Sequence, residues 1–255
     1  MAVRFDAAAD RLLITSSPID YNATYTWMAW VSMNDINTAF GTIFTLNNNG
    51  TSDDDLGVVT TGAAFTLDTF VEVAGSSGHT TGGTTLTAGT WYHIAAVRSS
   101  STAFTIYLNG VSEIVNAKSI AGRVASTRME SGGFGSADGD RLDGKMCAIK
   151  AWTTALSVTQ VIQEMVTIRP VEYGSLYGFW PCFPGSGERA ADYGGLGHPF
   201  TEVGTLTDED PPPVSWGAGI WMPPFTAPVA STVIFRRTLS ALGTRTGSRQ
   251  VQGID

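Results

Sequence analysis

The chain has 255 residues, 43% apolar and 15% charged, with a formal net charge of −8 at pH 7. That is enough chain and apolar surface for a sizeable core, and the negative charge excludes a nucleic-acid-binding body, because phosphates would be repelled. Its two cysteines, Cys147 and Cys182, are too few for a disulfide framework or a zinc site and read as buried free thiols.

The amino terminus, MAVRFDAAAD, carries charge within its first six residues. No apolar stretch follows that would make a secretory signal, and no later run is long enough to span a membrane. The expectation is synthesis in a cytoplasm with no signal peptide.

Strict alternation then dominates. In YTWMAWVSM, Tyr25, Trp27, Ala29 and Val31 share one face, and Thr26, Met28, Trp30 and Ser32 the other. A Trp on each face predicts a strand covered on both sides. FTLDTFVEV places Phe65, Leu67, Thr69, Val71 and Val73 together. TWYHIAAVR sets Trp91, His93, Ala95 and Val97 against Tyr92, Ile94 and Ala96. Residues 103–108 and 111–115 form two further apolar runs joined by Asn109-Gly110. That pair best tolerates the positive φ of a two-residue hairpin turn. LDGKMCAIKAWTTAL is another long strand. Gly, Asn, Asp and Ser clusters at 47–55, 75–83, 98–102 and 131–140 read as the loops between strands. Short strands at such spacing predict a sandwich rather than βαβ units.

One segment breaks the pattern. SVTQVIQEMVTIRP has Val158, Val161, Ile162, Met165 and Ile168 at helical spacing. Ser157 with Gln160 three residues on forms a capping box, and Arg169-Pro170 ends the run. A short helix is predicted over about 158–168. The predicted core comprises Trp27, Trp91, Ile94, Ala96, Val97, Ile106, Leu108, Met146, Ile149, Trp152, Leu156, Ile162 and Phe179.

The end of the chain changes character. Six of the 11 prolines lie between 211 and 228, interleaved with Trp216, Trp221 and Phe225. Residues 229–255 then carry Arg236, Arg237, Arg245 and Arg249 against Asp255 alone, a net +3 beside −11 for residues 1–228. The stretch is too short and too proline-rich for its own core. The expected organisation is a sandwich over 1–210 and an extended C-terminal assembly arm over 211–255.

With these elements in place, GTWYHIAAVRSSSTAFTIYLNGV (89–111) resembles the laminin-G-like, concanavalin A-like lectin superfamily. There a strand opening on Trp-Tyr-His leads to a strand ending in Tyr-x-Asn-Gly. YTWMAWVSM resembles the upstream Trp-containing strand of that family. GSADGDRLDGKMCAIKAWTTALSVTQVIQEM resembles its closing strand and helix. LYGFWPCFPGSGERAADYGGLGHPFTEVGT resembles a segment that often opens such domains but here comes last, so the chain order looks permuted. The resemblance covers about 1–207. It implies an all-β, antiparallel jelly-roll sandwich with one short helix and the extended arm. Cys147 and Ala148 stand where an acidic pair often follows Asp-Gly in the closing strand.

Such a fold hosts lectins, glycosidases, adhesion modules and viral structural domains. Glycoside hydrolysis requires two carboxylates across the sugar bond. The nearest pair is Asp68 and Glu72, four residues apart with Phe70 between them, which separates their Cα atoms by roughly 13 Å. The expectation is therefore a non-enzymatic structural or binding module. Loop acids at Asp53, Asp54 and Asp55 and at Asp138, Asp140 and Asp143 are of the hard-oxygen type that suits calcium. Turn chemistry also accounts for Asp138-Gly139 and Asp143-Gly144. Within the arm, Trp216, Trp221, Met222, Phe225, Phe235, Arg236, Arg237, Arg245 and Arg249 are the candidate interface, since aromatics and arginines anchor interfaces. The combination resembles surface proteins of tailed-phage particles, such as capsid decoration or tail-associated proteins. The partners would be virion or self subunits in a homo-oligomer, with a glycan as a further ligand. The alternative is a carbohydrate-binding lectin, calcium-assisted or not, and the third reading is a glycoside hydrolase.

Overall fold

The alternating runs fold into strands in the order the sequence sets them. The computed structural model describes residues 1–212 apart from 8, 17, 35–39, 49–52, 62–63 and 136–140. The strands are β1 (Ala2–Phe5), β2 (Arg11–Ile14), β3 (Tyr25–Met33), β4 (Phe40–Asn47), β5 (Asp53–Thr61), β6 (Ala64–Val73), β7 (Ser76–Thr81), β8 (Trp91–Ser100), β9 (Ala103–Leu108), β10 (Val111–Asn116), β11 (Arg128–Ser131) and β12 (Gly144–Trp152). The helix α1 (Val158–Met165) follows, then β13 (Leu176–Trp180), β14 (Thr201–Val203) and β15 (Thr207–Glu209).

Two antiparallel sheets result. The eight-stranded sheet runs β10-β9-β8-β3-β12-β1-β15, with β13 also paired to β12; the seven-stranded sheet runs β14-β2-β11-β4-β5-β6-β7. β1 pairs along Gly144–Met146 of β12 and β13 along Ile149–Trp152. The left-handed backbone of Ala148, φ 50°, lies between those two stretches. The last described segment closes both sheets beside the first, since β15 pairs β1 and β14 pairs β2. The first and last described strands of the sandwich thus lie side by side in each sheet.

The inner faces bury the residues that alternation assigned to them. Tyr25, Trp27, Ala29 and Val31 of β3 enter the main core, while Met28 joins a second cluster with Ala95, Val97, Trp152, Leu156 and Val161. β3 is therefore covered on both sides, as its two Trp-bearing faces predict. Trp27 stacks on Phe44 of the opposite sheet with ring centroids 4.7 Å apart. Contacts of this kind are what hold the sheets together, and truncating such a Trp costs about 3–5 kcal/mol. Eleven of the predicted core residues are buried, from Trp27 to Phe179. Trp91 is only partly buried, at the edge of the main core.

Ile162 is a correction: it is 43% exposed. α1 does carry its capping box. Gln160 N–H donates to Ser157 Oγ, and Ser157 N–H to Gln160 Oε1 at 2.9 Å. But the buried positions of α1 are Val161 and Glu164. A buried lysine, Lys150 of β12, sets that orientation. Its Nζ donates to the Glu164 carboxylate at 2.8 Å and to the main-chain oxygens of Glu164 and Thr167 at 2.9 and 2.7 Å. The ammonium satisfies the carbonyls that a helix end leaves open. It also ends the helix at Met165, short of the expected 168, and rolls Ile162 outward against the Asn109-Gly110 turn.

That turn is the two-residue hairpin predicted, with φ of 50° at Asn109 and 80° at Gly110. Cys147 and Cys182 are both buried free thiols. Among the described residues no helix is long and apolar enough to cross a membrane.

Candidate functional site

The three consecutive aspartates, Asp53, Asp54 and Asp55, lie in β5 and not in a loop. This corrects the expectation of a loop cluster. A strand sends neighbours to opposite faces, so the triplet divides. Asp54 points into the core, paired in register with Leu46 and Val71. Asp53 and Asp55 point to the outer face of the seven-stranded sheet.

Asp54 is fully occupied. Arg98 of β8 donates to both its oxygens at 2.7 and 2.6 Å, Arg123 to Oδ1 at 2.7 Å, and the Tyr25 hydroxyl to Oδ2 at 2.8 Å. Both guanidiniums also lie over rings, Arg98 over Phe104 and Arg123 over Tyr21. Burial and the Asp54 charge together raise the Tyr25 hydroxyl well above its ordinary value. Asp138 and Asp140 lie outside the described residues. Among those described, no group of three or more His, Cys, Asp or Glu is arranged to hold a metal ion. The arm residues Trp216, Trp221, Met222, Phe225, Phe235, Arg236, Arg237, Arg245 and Arg249 also lie outside the described residues.

The outer face of the seven-stranded sheet is where polar chemistry gathers. Register sets its side chains in rows across the strands. One row runs Arg128, Asn47, Asp53, Glu72, Ser77, and the next Glu130, Thr45, Asp55, Phe70, His79. A third runs Thr42, Gly57, Asp68, Thr81. Phe40 lies over Gly57, where a Cβ would sit 2.5 Å from the ring, so only glycine fits beneath it.

Some of these groups are spoken for. Glu130 accepts from Asn47 and from the Gly135 N–H and is paired with Arg11 at 3.2 Å. Asp68 accepts from Thr81 at 2.7 Å and lies 3.1 Å from His79 Nδ1. The His79 ring is tilted against Phe70 with centroids 4.6 Å apart, its side chain 58% exposed. The nearest carboxylate pair for a glycosidase, Asp68 and Glu72, therefore shares one face, with Asp68 already held by its neighbours.

Other groups are not. Oδ1 of Asp53, Oδ1 of Asp55, and the hydroxyls of Thr42 and Thr66 are buried without a hydrogen-bond partner. Buried polar atoms in native proteins are almost always paired with protein or with ordered water, so these four oxygens have capacity for a further hydrogen bond. Burial and the neighbouring Glu72 push the Asp53 carboxyl up to about 7. Burial and Asp53 raise the Asp55 carboxyl well above the usual carboxylate range. The face can therefore both accept and, from a protonated carboxyl, donate hydrogen bonds to hydroxyl groups.

The sequence marks the aspartates for calcium and sets Asp68, Phe70 and Glu72 on one strand face, but nothing local in it brings the two sets together. Residues 53–55 read as a loop, which gives their side chains no facing; their place in β5 supplies it. What was missing was the strand pairing.

The family profile of the concanavalin A-like lectin/glucanases superfamily, laminin G type, matches residues 6–162, well over half of the chain. The chain belongs to that superfamily. Among solved structures, this lectin/glucanase domain is similar to a Bacteroides ovatus protein provisionally assigned as carbohydrate-binding, with TM-score 0.59 and 16% identity over 84% of this chain and 61% of that one. It is also similar to the enzymatically active domain of tailspike protein 2 from bacteriophage CBA120, with TM-score 0.53 and 17% identity over 66% of this chain and 28% of the tailspike. Identities this low establish a shared fold alone. The domain thus spans about three fifths of the first protein and little more than a quarter of the second. No curated protein matches the chain.

Proposed function

We propose that this chain is a non-catalytic glycan-binding module of a virion surface protein, and that the saccharide lies on the outer face of the seven-stranded sheet. The observation that carries the reading is the unpartnered oxygens of Asp53 and Asp55, with Asp55 beside Phe70 of the Phe70–His79 ring pair in register. Sugars present hydroxyls to polar groups and C–H faces to rings, and sites of this kind combine a few placed polar groups with aromatic surface. The superfamily supports it, and so do the names of the similar proteins, one assigned to carbohydrate binding and one a phage tailspike. In the virion setting, residues 211–255 act as the arm that attaches the sandwich to its own copies or to other particle subunits.

The test is a saccharide array probed with the full chain, followed by calorimetry on the best ligand. Phe70→Ala and Glu72→Gln should each weaken binding at least tenfold with the melting temperature unchanged. An array on which nothing binds, or binding untouched by both variants, overturns the reading.

A further inference from the structure

Residues 148–181 separate the two cysteines in the chain, and the eight-stranded sheet brings them back together. Ile149 of β12 pairs with Trp180 of β13. Cys147 lies two residues before the first and Cys182 two residues after the second, so the antiparallel pairing carries them toward each other. Both are buried in the main core. The Cys182 thiol donates to the Trp180 carbonyl at 3.6 Å. Burial, then the nearby charge of Cys147, raise that thiol, while the Ile149 N–H facing it works the other way. The Cys182 sulfur is therefore turned toward β12, with Cys147 beside it.

The backbone is bent at the same corner. Ala148 and Cys182 have φ of 50° and 59°, a conformation that non-glycine residues hold only where their surroundings impose it. Among the described residues it is shared by Ala74 and Asn109, which lie in the turns of the β6–β7 and β9–β10 hairpins. Ala148 and Cys182 lie in no hairpin turn. Their bends meet where the two thiols approach.

We propose that Cys147 and Cys182 form a disulfide site, present here as its reduced pair and closed by exchange with a soluble disulfide such as oxidised glutathione. One cysteine, as its thiolate, attacks a sulfur of the reagent and releases one glutathione thiolate. The second cysteine attacks the resulting mixed disulfide and releases the other. The two protein thiols are oxidised, the reagent is reduced, and the two protons end on its thiols. Residues opposed across antiparallel strands have Cα atoms about 4.5–5.5 Å apart, within the span that a disulfide accepts. The closed bond ties the segment that carries β13, β14 and β15, which lies beyond the family-matched residues 6–162, to β12 inside them.

Burial pushes the Cys147 thiol up to about 12, so exchange with the folded chain is slow. The experiment therefore refolds the full chain from urea into buffers of graded reduced and oxidised glutathione, starting from reduced and from oxidised protein. A parallel series stays in urea. Acid quenching, alkylation in denaturant and mass spectrometry then count the free thiols. The bond should be at least about tenfold more stable toward glutathione in the folded chain than in urea, because native pairing holds the sulfurs together. By the same thermodynamic cycle the oxidised chain should melt at least about 4 °C above the reduced one. Equal or lower stability of the bond in the folded chain overturns the proposal. So does an oxidised chain that melts below the reduced one, or disulfide-linked dimers in place of the internal bond.

Discussion

Arg98 grips Asp54 with two hydrogen bonds, Nε to Oδ2 at 2.7 Å and Nη2 to Oδ1 at 2.6 Å, across the gap between the two sheets. Both side chains are fully buried. Such a pair gives little net stability against an apolar replacement, but breaking one side leaves a charge in the core. Asp54→Asn strands two guanidiniums and should cost about 3–5 kcal/mol. Arg98→Met leaves Arg123 and Tyr25 on the carboxylate and should cost less. Urea unfolding of both variants checks the order; an equal or reversed order counts against Asp54 as the shared anchor.

Two buried groups pull stability in opposite directions below neutral pH. Burial, with a smaller effect from Lys150, lowers His93 from 6.5 to about 3. The folded state refuses a proton that the unfolded chain accepts, so this contribution is intact above 6.5 and is lost as pH falls toward 3. Asp53 is the reverse. Its carboxyl is raised to about 7, so its contribution is full below the unfolded value of 3.8 and is lost as pH rises through 7. Between pH 7 and 5 each is worth about 2 kcal/mol, with opposite sign. The parent should therefore show a nearly flat melting temperature over that range. Asp53→Asn should become less stable on acidification and more stable than the parent at pH 8. His93→Gln should gain stability on acidification. Melting scans at pH 5, 6, 7 and 8 check all three curves.

The hairpin offers a test of backbone conformation. Gly110 has φ +80°, and a Cβ there would lie 2.9 Å from Ile162 Cγ1 of α1. Gly110→Val meets both the left-handed penalty and a clash with the helix, for a loss of roughly 2–3 kcal/mol. Adding Ile162→Ala should recover only the clash. Full recovery in the double variant would mean that the turn itself bears no strain.

The arm is tested by truncation. β15 ends at Glu209 and pairs with β1, so a chain ending at Asp210 keeps every described strand. It should fold with an unchanged β-sheet spectrum yet fail to assemble or attach to particles, because proline-rich segments with aromatics order cheaply on a partner. Light scattering and particle attachment, run beside the full chain, decide it. Normal assembly of the truncated chain, or its failure to fold, defeats the arm reading.

The sequence by itself determined whatever local chemistry controls. Asn109-Gly110 could only be a tight turn, Ser157 with Gln160 had to cap a helix, and the two apolar faces of residues 25–33 required cover on both sides. The aspartate triplet, by contrast, read as one loop cluster, and only its place in β5 separates Asp54 from Asp53 and Asp55. Tertiary structure alone decided which of them went inward. That outcome depends on Arg98 and Arg123, 44 and 69 residues further along the chain, reaching the same point between the sheets. It also rolled α1, because Lys150 on a neighbouring strand draws Glu164 inward and turns Ile162 to solvent. The candidate site follows the same rule. Its carboxyls, rings and hydroxyls come from strands whose register no local pattern specifies, since pairing is a contest among distant segments settled by burial of the opposite face.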